Sequence, residues 1–215
     1  MPITKRATLV SNSASTYFST LSRQDAINGA LGISTATNGL VAENGQLFPF
    51  WPELVYYAAL GQPNPQYVWN DATPAGPETM YFAQAFSLPI LTGTVTRLAT
   101  AETFSDNAHT LFLQEFTRVD LPLLPPQITV VNEITPPGGI VDGSSSDAGQ
   151  ASAPPFSWQT ISKYSNVYIP TLPVAVPGLI NYAFVVSYEV FNYSPNGPAN
   201  PAGLQYIVEL YDDLL

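Results

Sequence analysis

A chain of 215 residues with 46% apolar side chains can bury one substantial core in a single domain. Its net charge of −10, from six basic and sixteen acidic residues, excludes a phosphate-backbone binder and opposes adsorption to an anionic membrane. No apolar run approaches the roughly 20 residues that span a bilayer, and the absence of cysteine excludes disulfides, thiolate catalysis and cysteine metal sites.

The first segment, Ile3 to Asn12, reads as a strand, with an N-terminal arm over residues 1–12 that could complete a neighbour's sheet by β-addition. It lacks the apolar stretch of a secretory signal, so an extracellular location, or one on a cell, spore or virion surface, is expected without a recognisable signal peptide. Leu21 to Gly45 is small and polar and reads as a loop with one short helical turn. Leu47 to Pro52 and then Leu54 to Leu60 form an aromatic cluster broken by prolines, expected across one end of the fold.

Two runs, Glu78 to Leu88 and Gly93 to Leu113, carry the β-branched and aromatic alternation of strands. A Pro/Gly/Ser-rich insertion is expected over 121–156, with Gln127 to Ile134 as an edge strand and Pro136 to Pro155 too polar and turn-rich to add core. Leu179 to Asn192 is the strongest strand signal. Gly203 to Leu210 is read as its hairpin partner across the Pro/Gly-rich loop that follows Ser194. The 21 prolines fit many short strands joined by rigid turns, so the expected class is all-β, a sandwich of two antiparallel sheets in one domain spanning 1–215.

The runs PETMYFAQAFSL (77–88), SDNAHTLFL (105–113) and NYSPNGPANPAGL (192–204), with Trp158 between the last two, resemble the galactose-binding-like β-sandwich domains over roughly residues 65–210. The resemblance implies a jelly roll serving as a carbohydrate-binding or adhesion module. Gln114, Glu115 and Phe116 stand where that family carries a turn.

The catalytic inventory is thin. His109 is the sole histidine, and no Gly-x-Ser-x-Gly elbow is present to position a serine nucleophile. Glu78, Glu102, Asp106, Glu115 and Glu133 are candidates for a glycosidase carboxylate pair by residue type alone, with solvated strand ends the plainer reading. The chain is therefore expected not to be an enzyme. Calcium could take oxygens from Asp71, Glu78 and Asp106, although no EF-hand spacing exists. A sugar site would draw ring faces from Trp51, Tyr67, Trp69 and Trp158 and polar groups from Asn70, Asp71, Asn196 and Asn200. Each tryptophan has core or loop anchoring as its competing role.

Charge is polarised along the chain. Lys5 and Arg6 lie at one end with Ile3 and Leu9, while Glu209, Asp212 and Asp213 crowd the other. These residues attract a neighbouring subunit head to tail, are merely solvated, or meet within one molecule. The expected role is a structural, self-assembling surface protein, a homo-oligomer or filament, with glycan binding as the alternative.

Overall fold

The computed structural model describes residues 3–47, 49, 51–55, 64–71, 77–89, 94–121, 123–143, 160–171, 173, 180–192 and 201–214. Among the described residues, thirteen strands and one helix follow in chain order: β1 Thr4–Val10, β2 Tyr17–Ser19, α1 Arg23–Ala30, β3 Asn38–Leu40, β4 Ala42–Glu43, β5 Val68–Trp69 and β6 Glu78–Leu88. They continue with β7 Val95–Asp106, β8 Ala108–Val119, β9 Gln127–Glu133, β10 Ile140–Asp142, β11 Ser162–Tyr168, β12 Ile180–Asn192 and β13 Gly203–Leu214.

These strands form two antiparallel sheets. In the first, β11, β7 and β13 lie side by side, and the far edge of β13 is shared by β1 over Ile207 to Asp212 and by β5 at Leu204, with β4 beyond β5. In the second the order is β3, β2, β6, β12, β8, and the far edge of β8 is shared by β9 and β10. The four-strand sets β1-β13-β7-β11 and β6-β12-β8-β9 face each other, and successive long strands pass from sheet to sheet. That is the order of a jelly roll.

The two terminal runs identified in the sequence are strands, but they do not pair with each other as a hairpin. β12 bonds to β6 and β8, whereas β13 bonds to β7 and β1 in the opposite sheet. Alternation reports a strand's two faces and is silent on its neighbours.

Between the sheets lies one core, built from inward residues such as Phe82, Leu113, Phe184, Val186, Tyr188, Leu204, Tyr206 and Leu210. β11 keeps a solvent-facing side and alternates strictly in exposure. β8 and β12 are buried along most of their length on both faces, because α1 covers the outer side of the second sheet. There Ala26 and Ile27 pack on Ala83, Phe116, Ala183 and Val185.

The segment Leu21 to Gly45 thus holds more than a helical turn. Ser22 caps α1 by accepting from the Asp25 amide, and Gly32, at φ +80°, ends it in the left-handed conformation that glycine adopts without strain. Asp25 accepts from Ser19, Thr35 and Thr37, which ties the helix to the chain on either side of it. The expected edge strand within 121–156 is β9, on the flank of β8. Residues 144–159 of that segment lie outside the described residues.

Candidate functional site

The chain ends meet within the molecule. β1 runs antiparallel to β13, so the Lys5 ammonium reaches the Glu209 carboxylate at 2.5 Å and Arg6 Nε reaches Asp212 Oδ2 at 2.7 Å. Leu9 is buried in the core, and Ile3 is exposed beside this junction. The described arm is a strand of its own sheet.

Asp212 continues inward to a charge set that bridges the two sheets. Arg97, on β7, is fully buried, with Nε 2.9 Å from Asp212 Oδ1 and Nη1 2.5 Å from Glu115 Oε1 on β8. Nη1 also donates to the Tyr182 hydroxyl at 2.8 Å. Glu115 further accepts from Tyr182, from Tyr168 at 2.7 Å and from Asn132 at 2.6 Å. Burial alone would lower the Arg97 value, but Glu115, then Tyr182 and Asp212, outweigh it and hold the guanidinium charged. Burial, reinforced by Glu115, raises the Tyr168 and Tyr182 hydroxyls, which stay protonated as donors. With Arg97 and Glu115 both buried, the set joins the two sheets.

Toward the other end of the sandwich the polar groups are likewise engaged. His109 is buried, its Nδ1 2.7 Å from Ser105 Oγ and its ring edge-on to Tyr188. Burial lowers its pKa to about 4, against the attraction of Asp142, so the imidazole is neutral at pH 7. Tyr188 meets the Thr103 hydroxyl, and Tyr206 meets Thr16 and Gln84, each at 2.9 Å. Asp106 is buried, and burial raises its pKa to about 7 despite a hydrogen bond from Trp51 Nε1 at 2.9 Å.

Among the described residues, the proposed sugar-binding rings Trp51, Tyr67 and Trp69 are occupied by packing. Trp51, Tyr67 and Phe104 form a buried cluster with ring centroids 5.1 to 5.8 Å apart, and the Tyr67 hydroxyl donates to the Pro52 carbonyl. Trp69 is fully buried, stacked near Phe82, with Nε1 2.6 Å from Glu78 Oε1. Trp51, Tyr67 and Trp69 therefore present no free platform; Asn70 is half-buried and Asp71 exposed beside them. Trp158, Asn196 and Asn200 lie outside the described residues.

The carboxylates named from the sequence are dispersed among separate partners. Glu78 serves Trp69, Glu102 pairs with Lys163, Glu115 with Arg97, and Glu133 accepts from Gln114. Among the described residues no three His, Cys, Asp or Glu side chains are grouped to share a metal ion, so Asp71, Glu78 and Asp106 form no calcium cage there. Asp213 follows Asp212 near the C-terminal end and opposes Thr96 across the ladder.

Large apolar side chains are exposed at several places, Leu21, Leu40, Leu47, Val55, Val130 and Val141 among them. Exposed Ile3, Leu121, Leu123, Leu124, Val167 and Ile169 gather at the end of the sandwich that holds Arg97. The strand register places them there, since Tyr168 and Asp212 both oppose Arg97, Thr4 opposes Asp212, and Val119 opposes Ile180 and Gln127. Leu123, wholly exposed at the tip of the β8–β9 turn, has φ +68°, a conformation a leucine rarely adopts. Sequence reading passed over Arg97, although it left a signal, and placed this turn only as the start of the 121–156 insertion. Arg97 sits on the inward register of Val95, Ala99 and Ala101, and residues 121–126 read LPLLPP.

No protein-family model matches the chain, and no curated protein matches it.

Proposed function

We propose that the protein is a non-enzymatic structural subunit that self-associates in an assembly on an extracellular, spore or virion surface. The observation that carries this reading is the set of exposed apolar side chains Ile3, Leu121, Leu123, Leu124, Val167 and Ile169 at one end of the sandwich. Such patches on soluble domains mark contact surfaces. A sandwich of two antiparallel sheets with β1 paired to β13 supplies a building block with defined faces, and the jelly-roll order is compatible with that role without dictating it.

The alternative is a carbohydrate-binding or adhesion module of the galactose-binding-like type. It has the resemblance of the 77–88, 105–113 and 192–204 runs in its favour, and a site for it would draw on Trp158, Asn196 and Asn200 in place of the buried rings. Calcium belongs with this alternative.

The mass distribution of the purified full-length chain across a wide concentration range tests the choice. Defined oligomers or filaments, unchanged by added sugars, are expected. A monomer at every concentration that binds on a glycan array would replace assembly with the lectin-like reading.

A further inference from the structure

Residues 51–55 lie as a strap on the outer face of the first sheet, at one end. Trp51 is buried in the ring cluster with Tyr67 and Phe104, and it packs so closely on the start of β13 that a Cβ at Gly203 would stand 2.8 Å from its ring. Main-chain contacts hold the rest of the strap. The Trp51 carbonyl accepts from Gln46 Nε2 at 3.0 Å, the Pro52 carbonyl accepts from the Tyr67 hydroxyl at 2.7 Å, and the Leu54 amide donates to Gln205 Oε1 at 2.7 Å. Leu54 itself packs on Val10 and Ile207. Asp106, the last residue of β7, is on the same face as Phe104 by strand alternation. Its Oδ2 accepts from Trp51 Nε1 at 2.9 Å, while Oδ1, equally buried, has no hydrogen-bond partner among the described residues.

Burial penalises the charged form of a carboxyl that has one neutral donor, because a carboxylate needs donors at both oxygens. The titratable and charged side chains on this face bring no relief. Glu53 stands on the strap and Tyr67 ahead of β5, while Glu102, two residues before Phe104, is paired with Lys163 of β11. β13 presents Gly203 and Gln205 there, and His109, on the inward register of β8, bonds to Ser105. The Asp106 pKa, raised by burial to about 7, agrees with this geometry.

We propose that Asp106 and Trp51 form a pH-operated latch: the strap 51–55 is closed while the Asp106 carboxyl carries its proton and leaves the end of the sheet when that carboxyl ionises. Solvation sets the direction. The carboxylate gains water donors only when Trp51 withdraws, so closure is favoured below the Asp106 midpoint and opening above it. Opening bares Val10 and Ile207 together with the Tyr67 and Phe104 rings, which Leu54 and Trp51 otherwise cover. The latch operates whether or not the chain assembles.

NMR of the isotope-labelled full-length chain tests the latch on the indole N–H of Trp51, assigned by its loss in Trp51→Phe. The Trp69 indole, held by Glu78, is the internal reference. The ionised fraction of a carboxyl titrating near 7 rises about tenfold from about pH 6 to about pH 8. Water exchange at the Trp51 indole, divided by that at the Trp69 indole, should therefore rise about tenfold over the same range. Asp106→Asn leaves a neutral acceptor for Trp51, and its ratio should stay flat. A constant ratio in the wild type would overturn the latch, as would an equal rise in Asp106→Asn. Should that variant not fold, the carboxyl-carbon shift of Asp106 in the wild type decides the matter. It should titrate at the midpoint of the exchange ratio, and a midpoint more than about one pH unit away, or none, would overturn the latch.

Discussion

Arg97 shows most clearly how a single side chain is constrained by its neighbours. Replacing it with alanine strands Glu115 and Asp212 in the interior, and the expected loss is roughly 3–5 kcal/mol in urea unfolding. Asp106 and His109 make opposite contributions to the pH dependence of stability. Asp106 titrates near 7 in the folded chain and near 4 unfolded, so its contribution is lost as pH rises across that interval. His109 titrates near 4 folded and 6.5 unfolded, so the unfolded chain binds the extra proton and stability is lost as pH falls through that interval. Denaturant curves between the two lower and two upper values should show these slopes largely offsetting in the wild type. Asp106→Asn should tilt the profile toward higher stability at higher pH, and His109→Asn toward the reverse; unchanged profiles in both variants would refute the buried assignments. The sequence offered His109 as a lone histidine and Trp51 as a ring face, and neither residue type carries burial on its own. Both roles depend on the passage from β7 in one sheet to β8 in the other, which brings Ser105 to His109, and on the packing of Trp51 onto Asp106.

The long strands were legible because β-branched and aromatic residues alternate along them, and Tyr188 and Phe184 lie fully buried on the inward face of β12. Truncating either to alanine should cost roughly 3–5 kcal/mol. The partners of those strands were not legible, since the jelly-roll crossing places β12 and β13 in different sheets. The helix was only half legible. Its sequence, RQDAINGA, has a weak apolar face and a glycine, and the reason for Gly29 lies elsewhere, because a Cβ there would stand 2.7 Å from the Tyr17 ring. Ser22→Ala should cost about 1 kcal/mol through the lost cap. β1 changes what a truncation means. Deleting residues 1–10 would expose the β13 edge, remove Ala7 and Leu9 from the core and strip Arg6 from Asp212. Hydrogen exchange along β13 should then accelerate sharply, and protection equal to that of the full chain would contradict the pairing.

Arg97, Glu115, Asp106 and His109 are turned inward while Ile3, Leu121, Leu123, Leu124, Val167 and Ile169 are exposed at one end, the feature on which the proposed assembly role rests. The composition carries few charges and many prolines, yet the location of the exposed apolar side chains could not be read from it, because it follows from the register of β1, β8, β9 and β11 with their neighbours. Sedimentation velocity of the intact chain over a wide concentration range is the most direct measurement of this account. It should show a concentration-dependent dimer or larger species, indifferent to sugars, that recedes in Leu123→Gly while that variant stays folded. A single monomeric species throughout would contradict it.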